Sequence, residues 1–312
     1  MAPPLPAPSS STRPTATSSV RPTAAPGWVR RRDAPVALTE VGAAAYGRQL
    51  WVVGGFDRDV RATQRVLVYD PRTDMWHSGP DLPVAVQHAA VVSTGSDLYV
   101  LGGYLGSTFQ TPTTDVWRLD LAGSRWVHAP RLPEPRAAGA AAWDGQWIVY
   151  GGGMGPEGVS DGVYALKGDA WRRLGRLSAP REHLAAASNG AGLTWFLGGR
   201  DGSLATNLST IDLVDHSGIR AVGRVPTARG GVAAFWSPAT GACLIGGERT
   251  GATLDAVECI ASDGRSVIGA PLLVPRHGLG AGVIDGVAYA VLGGRQPGLT
   301  VSSVIEALEL RR

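Results

Sequence analysis

Four side chains of acid–base type recur along the chain: Glu40, His88 and His183 at one matching place, and Glu182 at the place before it. An imidazole titrates near neutral pH, so a histidine beside a carboxylate can pass a proton to or from a substrate. Glu40 or Glu182 with His88 or His183 would form such a pair. His277 comes in step with the other two histidines, and three neutral imidazoles meeting at one point could bind zinc or iron. The second feature is arginine. Arg136, Arg181, Arg229 and Arg276 each precede a run of small residues, while Arg200 and Arg295 each follow a Gly-Gly pair. The guanidinium is a planar fork suited to carboxylate or phosphate. Six of them around one opening would attract acidic ligands.

The elements that must position these residues repeat. A short apolar run ends in Gly-Gly six times, at Gly54-Gly55, Gly102-Gly103, Gly151-Gly152, Gly198-Gly199, Gly246-Gly247 and Gly293-Gly294, with steps of 48, 49, 47, 48 and 47 residues. Such self-similarity marks a repeat architecture. Each unit opens with a small-residue segment such as Gly139–Trp143. The apolar run into the glycines follows, then a polar loop and a third run such as Val66–Asp70. A fourth run opens with Trp76, Trp126 or Trp171 in three units. The runs are short, β-branched or aromatic, and bounded by Gly, Pro and Asp, as strands are. No stretch sustains a 3.6-residue period, so helix should be nearly absent. Ala- and Gly-rich first strands suit convergence on an axis, and Trp and Tyr suit the wider space between sheets. Four-stranded sheets repeated around an axis make a β-propeller.

Over residues 28 to 312 these motifs resemble the kelch-repeat family. The stretch Val274–Gly294 is similar to a kelch segment throughout, and Gly54-Gly55 with Tyr69-Asp70 and Trp76 fits the family pattern in the first unit. Units five and six lack the closing Tyr and Trp. The expected fold is all-β: a six-bladed propeller over residues 27–312, with four antiparallel strands per blade. The chain stops just after a third strand (Val304–Leu310), and Gly27-Trp28-Val29-Arg30 aligns with Arg125-Trp126-Val127-His128. The N-terminal strand should therefore complete the last blade, pairing two exposed edges.

The resemblance implies that the turn before each first strand and the loop after each Gly-Gly share one face, around the channel mouth. Arg136, Arg181, Arg229, Arg276, Arg200, Arg295 and His277 are then the expected ligand contacts. His277 sits one place earlier in its unit than His88 and His183. Adjacent strand positions point to opposite faces, so the three histidines should not converge, and no metal or other cofactor is expected. Kelch-like copper oxidases use a cysteine–tyrosine cross-link, but Cys243 and Cys259 do not precede a channel-facing loop. The iron motif of specifier proteins is met by Glu157 and Asp161, while Ala165 replaces its histidine. The expected function is an interaction module for an acidic peptide, protein or small anion, rather than an enzyme. The alternatives are a sialic-acid-type sugar epimerase or mutarotase, served by the acid–base pairs, and a structural platform using the outer faces.

Composition bounds the rest. The chain has 312 residues, of which 44% are apolar and 18% charged, enough for a sizeable core. Two cysteines exclude a disulfide-dense mini-domain, and could form one bridge or remain thiols. No run approaches about 18 apolar residues, which excludes a membrane-spanning helix. The net charge of +3 gives no argument for nucleic acid. Lys167 is the lone lysine, and with abundant Ala, Gly and Pro this skew points to a GC-rich bacterial source. Residues 1–26 are Pro, Ser, Thr and Ala almost throughout and read as a disordered tail or linker. It has no apolar signal-peptide core. Such tracts often follow a removed leader or a membrane tether, which favours an extracytoplasmic or secreted location; the expected state is a monomer.

Overall fold

Each repeat unit folds into one four-stranded antiparallel sheet, and six such sheets surround a central channel. The structure is a computed structural model describing Met1, residues 27–261 and residues 263–310. The expectation for the tail at residues 1–26 lies outside the described residues, apart from Met1.

Blade one comprises Gly42–Tyr46, Gln49–Val53, Val66–Asp70 and Met75–Ser78. Blades two to five repeat that order, starting at Ala90, Ala140, Ala185 and Ala233. Blade six takes Gly280–Ile284, Val287–Val291 and Ile305–Glu309 from the end of the chain and Val29–Arg30 from its start, with Val29 opposite Ala307. The ring therefore closes as the alignment of Trp28 with Trp126 requires. Among the described residues the one helical segment is a 3-10 turn, Leu204–Thr206.

The first strands do converge tightly. A Cβ on Gly280 would come within 2.4 Å of Ala43 Cβ, and one on Gly42 within 2.3 Å of Val91 Cγ2. Larger apolar side chains fill the gaps between sheets, as in the cluster of Trp51, Val68, Val100, Trp117 and Trp126 between blades one and two. The closing tryptophans add a directed contact. The Trp126, Trp171 and Trp76 indole N–H groups each donate at 2.8 Å, to the carbonyls of Pro80, Pro130 and Arg32 in the preceding blade. Trp28 does the same to Ala270 at 2.9 Å.

The glycine pairs hold each blade to the next. Gly55 N–H donates to the Val86 carbonyl at 2.9 Å, and the bond recurs from Gly103, Gly153, Gly199, Gly247 and Gly293. A side chain at the first glycine would strike that carbonyl: a Cβ on Gly102 would lie 2.3 Å from Arg136 O. Backbone geometry also corrects the register of two units. The pair in blade three is Gly152-Gly153 (φ 69° and 94°), not Gly151-Gly152, and in blade six it is Leu292-Gly293 (φ 58° and 92°), not Gly293-Gly294. Leu292 keeps the left-handed conformation and buries its side chain in the cluster that holds Leu38.

Candidate functional site

One residue per blade meets at the channel throat: Glu40, His88, Ala138, His183, Gly231 and Gly278. All six have positive φ, between 53° and 65°. A circle of main-chain hydrogen bonds fixes them. His88 N–H donates to the Glu40 carbonyl at 3.1 Å, Ala138 to His88 at 2.9 Å and His183 to Ala138 at 2.8 Å. Gly231 donates to His183 at 3.0 Å and Gly278 to Gly231 at 2.8 Å; Val41 N–H closes the circle on Gly278 at 3.3 Å. Left-handed backbone is costly for residues with a side chain, and four of the six carry one.

Glu40 lies at the centre of the side chains. Its Oε2 is 3.1 Å from His88 Nε2 and 3.9 Å from His183 Nε2, and the two Nε2 atoms are 2.8 Å apart. His277 reaches the same carboxylate, with Nδ1 3.3 Å from Oε1. His277 thus does not point away from the carboxylate, although the group whose ligand atoms come together is Glu40, His88 and His183. Alternation between faces holds only along extended backbone, and the positive φ of Gly278 breaks it at the next residue. Gly278 also leaves the space that Glu40 uses, since a Cβ there would lie 2.6 Å from Oε1.

The flanking contacts form a chain. Glu182 accepts from His183 Nδ1 and from Arg200 Nε, the latter at 2.8 Å, and Arg200 Nη1 continues to Glu248 at 2.7 Å. Glu248 also faces His277 Nδ1 at 3.7 Å. Gln87 Oε1 meets His88 Nδ1, and the Gln87 amide nitrogen donates to the Thr108 carbonyl at 3.0 Å.

Charge follows from these contacts. Burial works to raise the Glu40 carboxyl, but His88, the His277 hydrogen bond and His183 together hold it well below the usual carboxylate range. Burial pushes His88 down to about 4, so it is neutral near pH 7. Burial opposes charge on His277, yet Glu40 and Glu248 raise it above its ordinary value. Glu182 is lowered despite burial, by His183 and Arg200.

Above this floor opens a cavity of about 530 Å³, walled by Tyr104, Phe109, Met154, Leu204 and Leu299. Phe109 and Tyr104 meet the His88 ring edge-on, with centroids 5.5 and 5.9 Å away.

The KLHDC2/KLHL20/DRC7 Kelch-repeats domain matches residues 40–247, more than half of the chain. The chain belongs to the kelch-repeat family. No curated protein matches it.

The kelch propeller corrects the arginine reading. Arg181, Arg229 and Arg276 are all 0% exposed and lie inside their blades rather than at the mouth. Arg181 pairs with Asp212 and donates to the Thr210 carbonyl at 2.9 Å. Arg229 pairs with Glu258, and Arg276 with Glu306 at 3.5 Å. Each carboxylate sits on the third strand of the same blade. Blade three has Tyr164 at that position, so Arg136 turns instead to Glu134 and to Ser160 Oγ at 2.9 Å. Arg295 is exposed and does not line the cavity. Of the six arginines only Arg200 reaches the floor, where two glutamates already hold it. The four acid–base residues, by contrast, are brought together as a group with His277. Glu248 and Phe109 complete the site without having been singled out. Glu248 follows its Gly-Gly pair as Arg200 does, which was the available signal, whereas Phe109 lies in a loop without periodic marking.

Cys243 and Cys259 face each other on neighbouring strands of blade five and form a disulfide.

Proposed function

We propose that this kelch propeller is a protein-binding module whose mouth takes a peptide segment by an apolar side chain. Kelch propellers are interaction modules, and the mouth supplies the means. The observation that carries the reading is the apolar collar over the polar floor. Phe109 remains 49% exposed beside Tyr104, Met154, Leu204 and Leu299. A large apolar group kept in water at the rim of a polar cavity is the kind of anchor that dominates interfaces. The acidic-ligand reading loses its support because Arg181, Arg229 and Arg276 are spent inside the blades, Arg136 pairs with Glu134, Arg200 is held by two glutamates and Arg295 does not line the cavity. The sugar-acid reading loses its anion cradle for the same reason.

Selection of displayed random peptides on the folded propeller tests this. Recovered peptides should share an apolar anchor and lose at least tenfold in affinity against Phe109→Ala or Leu204→Ala, with melting temperature unchanged. Peptides that bind both variants as well as the parent would place recognition elsewhere.

A further inference from the structure

The geometry points to a divalent metal site of the zinc class at the channel throat, with Glu40, His88 and His183 as protein ligands. Their ligand atoms lie within 4.8 Å of one another, with separations of 2.8, 3.1 and 3.9 Å. A tetrahedral zinc ion with bonds of about 2.0–2.2 Å sets its ligands roughly 3.3–3.6 Å apart, and the observed separations bracket that range.

Each histidine is oriented from behind. Glu182 accepts from His183 Nδ1, so that nitrogen carries the hydrogen and Nε2 presents a lone pair. Gln87 does the same for His88: its amide nitrogen is committed to the Thr108 carbonyl, which leaves Oε1 facing Nδ1. A carboxylate or carbonyl oxygen behind a ligating imidazole is the usual outer support of a metal site. Two imidazole lone pairs and a carboxylate oxygen therefore face one point, and acceptors so placed repel unless a metal cation or a shared proton lies between them.

The backbone keeps them there. All three residues hold left-handed φ within the closed main-chain circle, so none relaxes without breaking a blade-to-blade bond. Charge agrees, since the floor carries three carboxylates, Glu40, Glu182 and Glu248, against one guanidinium, Arg200, which pairs with Glu182 and Glu248, and the His277 imidazole beside Glu40. Two nitrogens and one oxygen suit Zn²⁺ or Co²⁺ over Mg²⁺ or Ca²⁺. The ligand set leaves coordination positions open, and the cavity borders all three residues.

Chelator-stripped propeller titrated with Co²⁺ and Zn²⁺ tests the site, read by cobalt absorption, calorimetry and bound metal per chain. The expected result is one ion per chain, competition of Zn²⁺ with Co²⁺, and no uptake of Mg²⁺. His183→Ala and Glu40→Gln should abolish the cobalt spectrum, Glu182→Gln should weaken binding about 10- to 100-fold, and His128→Ala on the outer face should change nothing. Alanine is tolerated in this backbone position, because Ala138 occupies it in blade three at φ 53°; circular dichroism confirms that each variant is folded. Folded parent protein that takes up less than about a tenth of an equivalent, or uptake unchanged in His183→Ala, overturns the proposal. Metal uptake needs no peptide, so loss of peptide selection would leave this inference standing.

Discussion

Arg276 and Glu306 lie 3.5 Å apart inside blade six with neither side chain exposed to solvent. Glu306 also accepts the backbone N–H groups of Leu273 and Val274, at 2.9 and 3.0 Å. The pair ties the turn before the first strand to the third strand. Removing one partner of a buried pair leaves an uncompensated charge and costs about 3–5 kcal/mol. Arg276→Met should show that loss in urea denaturation. Adding Glu306→Gln should recover part of it, since the charge disappears while an amide oxygen still accepts one N–H. A structural role predicts this pattern for Arg181 and Arg229 as well.

Gly102→Ala should destabilise by about 1–3 kcal/mol, because φ is 61° and the new Cβ would meet the Arg136 carbonyl. Leu292 occupies the equivalent place with φ 58°. Leu292→Ala should cost about 2–5 kcal/mol for the lost core side chain. Leu292→Gly should be no less stable than Leu292→Ala, since it releases about 1–2 kcal/mol of left-handed strain. Thermal melts of the three variants decide the order, and a Gly variant well below the Ala variant would contradict the strain at Leu292.

The N-terminal strand is short, yet Trp28 is buried against Phe235 with ring centroids 6.4 Å apart. Trp28→Phe removes the hydrogen bond to Ala270 and should cost about 1 kcal/mol. Trp28→Ala should cost about 3–5 kcal/mol. Equal, small losses in calorimetry would mean that blade six closes without the indole.

The Cys243–Cys259 bridge spans a sequence separation of 16. Closing a loop of about that length lowers the entropy of the unfolded chain by an amount worth about 3 kcal/mol. The Cys243→Ala/Cys259→Ala double variant should therefore melt lower, and adding a reductant should lower the melting temperature of the parent but not of the variant.

The sequence displayed the blade count, the strand order and the closure, because Trp28 repeats the setting of Trp126. Glycine register was harder to read. Three glycines stand together at 151–153, and blade six replaces its first glycine with Leu292. The arginines misled because the turn position alone was considered. Asp212, Glu258 and Glu306 stand 31, 29 and 30 residues after Arg181, Arg229 and Arg276, whereas Leu67, Trp117 and Tyr164 take the matching strand position in blades one to three. Reading the two positions together separates arginine paired within its own blade from Arg136, which pairs with Glu134 beside it. The approach of His277 to Glu40 was hidden because face alternation assumes extended backbone, which Gly278 interrupts.

The closure in blade six also determines how the ring bears force. Tension applied between Val29 and Glu309 meets a two-residue antiparallel pair and one anchored indole. Both points lie on blade six, and pulling at them should detach that strand first. Trp28 passes part of that load to Ala270 and Phe235 of blade five, and neither contact involves a throat residue.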